Sequence, residues 1–318
     1  MARESCAVGI EIGGTVLRMG LVTANGSITH LTRKESAGLR DQSRAAELLC
    51  GEIDNFLVET NTGLRECAGI GIGMAGLVDN EARSMVLASN LGWRDFHLGD
   101  EIEKLTKSYV VVDKDTNMAA LGELAVGAGK GLNSFIYATL GTGVGGAVIY
   151  DGKLLRGMGN RAGEFGHVIA GGDALCGCGS RGCLETVAGA VSIGRKAKES
   201  ASPKILELAG SPDNITSRMV VQAAEQGDEL AKRILAEAAC AVGIALINAI
   251  RMIYPEAVIL GGSLSDVHEY IFQPIKEFVE SNSVLPGTNL PPVRVLRAGL
   301  GDSAAIIGSG LSVFGRSQ

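Results

Sequence analysis

The sequence predicts an α/β protein built from two related halves, and three observations carry that reading. At residues 6–22 a strand, a glycine turn and a second strand follow one another as CAVGIEI, GGT and VLRMGLV; the same order returns at 134–150 as SFIYATL, GTGVGG and AVIY. Apolar strands and helically patterned segments then alternate along the chain, as layered sheet and helix require. Of the 318 residues, 46% are hydrophobic and 20% are charged, which is ample material for a core in each of two domains.

The elements follow in order. CAVGIEI (6–12) is β-branched and apolar and ends at Gly13-Gly14-Thr15, so the glycines join it to VLRMGLV in a hairpin. Leu49, Ile53, Phe56 and Leu57 recur at helical spacing and place one face of a helix over 44–58 in the core. Strands are predicted over 69–74 and 109–113 with a short helix over 100–107 between them. A helix covers 116–126, and the loop GAGKGLNS (127–134) marks a domain junction. After the second hairpin, helices are predicted over 185–198, 216–226 and 229–252, and the strand AVILGGS (257–263) again ends in glycines.

Composition excludes several classes. The net charge of -6 leaves no basic footprint for nucleic acid or an anionic membrane, and 4% aromatic residues are too few for a base-stacking surface. The most apolar stretch, AACAVGIALINAI (238–250), is flanked by Glu237 and Arg251 and falls short of a membrane span, while Glu11 interrupts any leader-like run at the N-terminus. Seven cysteines, an odd number in a long chain, point to a reducing cytoplasm rather than a disulfide framework.

Three groups of residues carry chemistry. Gly141-Thr-Gly-Val-Gly-Gly146 satisfies G-x-G-x-x-G, yet a strand follows it rather than the helix that a dinucleotide fingerprint needs. A single glycine hairpin reads as a tight turn without a ligand. Two copies, joined by a third strand ending at Gly261-Gly262, favour close approach of backbone N–H groups to phosphate oxygens. His167, Cys176, Cys178 and Cys183 supply one imidazole and three thiolates, the composition of a closed tetrahedral structural zinc site. Asp115 stands where the strand VVVD gives way to a helix, Glu11 ends the first strand, and Glu164 and Glu185 bracket the cysteine cluster. Singly, such carboxylates are caps or strand-end charges; together with phosphate turns they suggest phosphoryl transfer, which needs a base, magnesium and donors around the phosphates.

With these residues in place, GEFGHVIAGGDALCGCGSRGCLETVAG (163–189) closely resembles the zinc-containing signature of the ROK family (repressors, open reading frames and kinases), and the resemblance spans nearly the whole chain. GIEIGGT (9–15) and GTGVGG (141–146) resemble the two phosphate motifs, NLGW (90–93) a sugar loop, DTNMAALGE (115–123) the catalytic segment, PEAVILGGS (255–263) the adenosine-side motif and GLGDSAAIIGSG (299–310) the closing helix. The resemblance implies an actin-like ATPase (ribonuclease H-like) fold. Its small domain is residues 1–118 with a helix returning at 303–318, its large domain is 119–302, and the cleft between them closes on substrate.

It also implies an ATP-dependent hexose kinase, glucokinase-like, acting at the 6-hydroxyl. The alternatives are an amino-sugar or N-acetylmannosamine kinase, or a catalytically weakened sugar-sensing protein. Asp115 takes the proton; Asn90, Lys114, Glu164, His167 and Glu185 meet the sugar. Glu11, Gly13, Gly14, Thr15, Gly141, Thr142, Gly143, Gly261 and Gly262 surround ATP and Mg²⁺, and a structural Zn²⁺ fixes the loop that presents Glu164, His167 and Glu185. A cytoplasmic homodimer without nucleic-acid or membrane partners is expected. Repressors of the family carry a winged-helix module ahead of the first phosphate motif; here that motif begins by Gly9, so the enzyme reading is preferred.

The chain departs from the family pattern at several positions. Glu11 stands where aspartate is usual, and Lys114-Asp115 stands for Asn-Asp. Ala75-Gly76 replaces a Pro-Gly turn, and Asn90 follows serine instead of proline. Lysine donates but cannot accept, so Lys114 cannot reproduce an amide's pairing with a sugar. Neighbours along an extended segment face opposite ways, so the Lys114 ammonium either points to solvent or enters the sugar site.

Overall fold

In the computed structural model, which describes residues 6–315, the chain divides into two compact units. The first comprises residues up to 131, 152–162 and those from 299; the second comprises 132–151 and 163–298. The strand that opens the first sheet begins at Cys6, so of the N-terminal run considered as a leader residues 1–5 lie outside the described part, as do residues 316–318 of the range predicted for the returning helix.

The strands used below, in chain order, are β1 (Cys6–Ile12), β2 (Val16–Thr23), β3 (Ile28–Glu35), β4 (Cys67–Met74), β5 (Leu77–Asp79), β6 (Ser84–Ala88), β7 (Trp93–Phe96), β8 (Val110–Lys114), β9 (Phe135–Leu140), β10 (Val144–Tyr150), β11 (Ala257–Gly261) and β12 (Arg294–Arg297). The helices used below are α1 (Gln42–Glu59), α2 (Asp115–Val126), α3 (Glu185–Ala188), α4 (Ala190–Glu199), α5 (Glu229–Ile253) and α6 (Ala304–Phe314).

The first unit holds a sheet in the order β3-β2-β1-β4-β8, with β1–β2 antiparallel and β1–β4–β8 parallel. Its core joins Val8, Ile10 and Ile12 of β1 to Ile70 and Ile72 of β4 and to Leu49, Ile53 and Phe56 of α1. Asp41 caps α1 by accepting from the Ser43 N–H at 3.2 Å, which satisfies one of the donors a helix start leaves open. In the second unit β9 likewise pairs antiparallel with the strand that follows it, β10, and parallel with the later β11, which pairs in turn with β12. The two hairpins therefore head sheets of the same local topology, as their sequences suggested. The small sheet β5-β6-β7 has no counterpart in the sequence reading; its strands have three to five residues and carry little periodicity.

Three further differences have physical causes. Residues 119–131 belong to the first unit rather than to the second half, because α2 packs on α6 at glycine contacts: a Cβ on Gly122 would lie 2.4 Å from the Ala304 carbonyl oxygen. The helix predicted over 185–198 breaks at Gly189 into α3 and α4, where the chain bends to meet Thr142 and Gly143. The apolar stretch at 238–250, read as too short for a membrane span, lies inside the predicted helix, α5, whose 25 residues also take in Glu237 and Arg251. By length and composition α5 can cross a membrane, but half of its apolar window is buried, and Leu235, Val242, Leu246 and Ile250 form the core of the second unit.

In the first unit α6 lies on the sheet with almost no side chain between. A Cβ on Gly71 of β4 would stand 1.8 Å from the Ser309 carbonyl oxygen, and one on Gly9 would stand 2.2 Å from that of Ile306. Across the other face of α6, a Cβ on Gly308 would meet the Met118 carbonyl oxygen at 1.7 Å. Backbone cannot yield as a side chain can, so Gly308→Ala should cost about 3 kcal/mol or more. Gly51, exposed within α1 with open space around it, provides the contrast: Gly51→Ala should add about 0.5–1 kcal/mol. Urea denaturation of both variants checks the pair, and equal midpoints would refute the close-approach account.

Candidate active site

In the first unit the site begins at the β1–β2 turn. The Gly13 N–H donates to the Val16 carbonyl at 2.8 Å, closing the hairpin, and Ser36 braces it from outside: its Oγ donates to the Gly13 carbonyl at 2.9 Å and its N–H to that of Thr15 at 3.1 Å. Asn90 lies over this turn, since a Cβ on Gly14 would come 3.1 Å from its Nδ2. Gly13, Gly14, Thr15 and Asn90 are thus brought together. Glu11 and Arg18 face each other across β1 and β2 and pair at 2.9 Å, and Arg18 also reaches Asp302 at 3.1 Å. Burial pushes the Glu11 carboxyl above its usual range; Arg18 opposes that shift and the charge of Asp115 adds to it.

Asp115 is the first residue of α2, directly after β8, and its Oδ1 accepts from the Thr116 N–H at 2.7 Å. The residue that shapes this turn is one that sequence reasoning passed over. Asp113, 1% exposed, accepts from the Lys114 N–H at 2.7 Å, Asn117 Nδ2 at 2.8 Å, Asn160 Nδ2 at 2.7 Å and Arg156 Nη2 at 2.9 Å. Asn160 also donates to the Val78 carbonyl and accepts from Asn117. Lys114 is buried, with Nζ donating to the Ala162 carbonyl at 2.7 Å, so its side chain does not point to solvent. Glu123, fully buried at the far end of α2, accepts from the N–H groups of Ala128, Gly299 and Leu300 at 2.7–3.0 Å. Of these, Asn117 and Glu123 lie within the segment that resembles the catalytic one and Asp113 ends the predicted strand before it; nothing local marked Arg156, Asn160 or Ala162.

In the second unit the four expected metal ligands converge. The ligand atoms of His167, Cys176, Cys178 and Cys183 all lie within 4.8 Å of one another, with Cys176 Sγ to His167 Nδ1 and Cys178 Sγ to Cys183 Sγ both at 3.6 Å. Tetrahedral bonding with metal–sulfur distances of about 2.3 Å sets sulfurs about 3.8 Å apart, so the donor set fits a four-coordinate thiophilic ion. The loop is built to hold it. The Cys176 N–H donates to Ser180 and that of Gly179 back to Cys176, with Gly179 at φ 90° and Gly182 at φ 72°, where other residues are strained. A backbone hydrogen bond from Ser180 leads in lowering the Cys178 thiol to about 7, whereas burial pushes that of Cys183 up to about 12.

Glu185 links this loop to the second hairpin. Its Oε2 accepts from the Val144 N–H at 3.0 Å and its Oε1 lies 4.0 Å from Cys176 Sγ. A Cβ on Gly143 would stand 2.1 Å from that Oε2, so a larger residue there would displace the Glu185 carboxylate. The turn itself closes through Gly141 N–H to the Gly143 carbonyl, and the start of α4 docks on it through Ala190 N–H to Gly141 and Val191 N–H to Thr142. Glu164 precedes the short 3₁₀ turn Phe165–His167 and its carbonyl accepts from the His167 N–H at 3.0 Å, so it and His167 are held three residues apart on one loop. Gly261 ends β11, and Gly262, at φ 84°, is pressed against the Leu140 carbonyl at the end of β9.

Known proteins resemble this chain over nearly its whole length. The model of the ROK family matches residues 7–313. A glucokinase of Halalkalibacterium halodurans is 36% identical over 313 residues, covering 95% of this chain and 93% of its own. A ROK family glucokinase from Streptomyces griseus, solved in complex with glucose and AMPPNP, superposes with a TM-score of 0.82 at 33% identity over 96% of this chain and 98% of its own. A ROK hexokinase from Thermus thermophilus superposes with a TM-score of 0.78 at 28% identity over 97% and 98%. The actin-like ATPase architecture follows, with its paired glycine hairpins and its cysteine-rich loop, and the chain belongs to the ROK family.

Proposed function

We propose that the protein is an ATP-dependent glucokinase that phosphorylates the 6-hydroxyl of glucose. The observation that carries this reading is likeness along almost the entire chain to glucokinases, one of them solved with glucose and AMPPNP. Asp115 accepts the proton of the 6-hydroxyl as that oxygen bonds to the γ-phosphorus and the bond to the ADP oxygen breaks. Asp113, holding the Lys114 N–H, fixes the turn on which Asp115 stands. Asn90, Glu164, His167 and Glu185 take the remaining hydroxyls, because carboxylates and amides satisfy a polyol whose unpaired hydroxyls are costly to bury. Lys114 contributes through the Ala162 carbonyl, two residues ahead of Glu164.

Gly13, Gly14, Thr15, Gly141, Thr142 and Gly143 surround the ATP phosphates, and Gly261 and Gly262 border the nucleoside. Magnesium, when bound, neutralises charge on the phosphates, and Glu11 is the carboxylate placed to serve it. His167, Cys176, Cys178 and Cys183 would hold a zinc ion in a structural role, and such an ion would fix His167 and, through the loop, Glu185. The seven free cysteines support reading the protein as cytoplasmic, since a reducing compartment keeps thiols free.

Two measurements test these assignments. Asp115→Asn should lower kcat by about 10²–10⁴-fold while glucose still binds, read by steady-state kinetics and calorimetry; normal turnover would remove Asp115 as the base. Metal analysis of the purified protein should find about one zinc per chain, and Cys178→Ser should weaken glucose affinity more than AMPPNP affinity. Full sugar affinity in metal-free protein would refute the structural role of zinc.

A further inference from the structure

A cavity of about 680 Å³ opens in the first unit beside the β1–β2 turn, and the turn residues Gly14 and Thr15 form one of its edges. That volume lies within the range of small-molecule sites. The remaining polar wall is Arg33, Lys34 and Glu35 at the end of β3 and Arg40 on the 3₁₀ turn that follows. Three cations thus face one carboxylate, in a protein whose net charge is -6.

Their pairing sharpens the point. Lys34 is already engaged by Glu52, at 2.5 Å. Arg33 stands directly opposite Arg18 across β2 and β3, as Arg18 does opposite Glu11 across β1 and β2, so a row of charge crosses three strands. Within that row Arg18 is neutralised by Glu11 and Asp302. Arg33 and Arg40 have no ion pair or side-chain hydrogen bond among the described residues. Two exposed guanidinium groups without an ion pair thus share with Glu35 a cavity bordered by exposed Thr15, and their forked donors suit phosphate oxygens.

We propose that this cavity is an anion site distinct from the nucleotide phosphates, taking a phosphate-bearing ligand of at least two negative charges against Arg33 and Arg40. The proposal rests on the reading of Gly13–Thr15 as a phosphate turn only in placing the ligand next to, rather than in, the ATP site. Two sources share this chemistry, a condensed inorganic phosphate and a sugar phosphate, and inorganic tripolyphosphate and glucose 6-phosphate probe them separately.

The experiment is titration calorimetry of each probe into protein saturated with AMPPNP, for the wild type and for the double variant Arg33→Gln, Arg40→Gln. At least one probe should bind saturably, and the double variant should bind it about tenfold or more weakly, the loss expected for charge-assisted hydrogen bonds. ATP-dependent kcat and KM should stay within about twofold. Tripolyphosphate binding alone identifies the condensed phosphate, and glucose 6-phosphate binding identifies the sugar phosphate. Absence of binding by both probes, equal binding by the variant, or loss of ATP turnover in the variant would each overturn the proposal. If AMPPNP itself fails to bind, the nucleotide reading falls, and the same titrations without AMPPNP decide the anion site on its dependence on Arg33 and Arg40.

Discussion

One buried carboxylate, Asp113, sets the geometry on which the first unit's chemistry depends. It sits at the end of β8, fully enclosed, and an unpaired charge there would be prohibitive. Four donors answer it: the backbone of Lys114, the amides of Asn117 and Asn160, and the guanidinium of Arg156. Two of these come from the next turn of chain and two from a segment more than forty residues later. The strand-to-helix turn, the start of α2 and the segment 156–162 are therefore locked to one another, and Asp115 inherits a fixed position from that lock. Lys114 extends the same arrangement by holding the Ala162 carbonyl.

Glycine provides the complementary constraint. The contacts of α6 with β1, β4 and α2 are backbone against backbone, so the helix closes the first unit at a distance no larger residue allows. In the second unit Gly143 leaves room for the Glu185 carboxylate beside the hairpin, and Gly166 lets the Phe165–His167 turn approach the Val144 carbonyl. The high glycine content is thus spent on proximity between elements as much as on turns. In both units the effect is the same: a polar group is carried on a segment packed closely against its neighbours.

How much of this was legible in the sequence follows from the range of each interaction. The two hairpins, α1 and the Cys₃His loop are local patterns, and they stand where strand alternation, helical spacing and ligand spacing put them. Asp113 was invisible because its answering groups, Arg156 and Asn160, lie far along the chain, and strand VVVD reads as apolar whether or not its last residue is buried. The extent of the first unit was misjudged for a related reason, since the pairing of Gly122 with Ala304 and of Gly308 with Met118 joins segments far apart in sequence. The apolar stretch at 238–250 was bounded by the charges at Glu237 and Arg251, although an amphipathic helix carries such charges on its outer face and continues past them. The departures at Glu11 and Lys114 were plain, but their accommodation by Arg18 and by the Ala162 carbonyl needed three dimensions.

The account stands or falls on the identity of the acceptor. Coupled ADP-release kinetics with the wild-type protein, ATP and a panel of glucose, mannose, glucosamine and N-acetylmannosamine address it most directly. The account predicts ADP release that requires a sugar, with the highest kcat/KM for glucose and glucose 6-phosphate formed in equal amount to ADP. Sugar-independent ADP release, or an amino sugar or N-acetylmannosamine preferred over glucose, would contradict it.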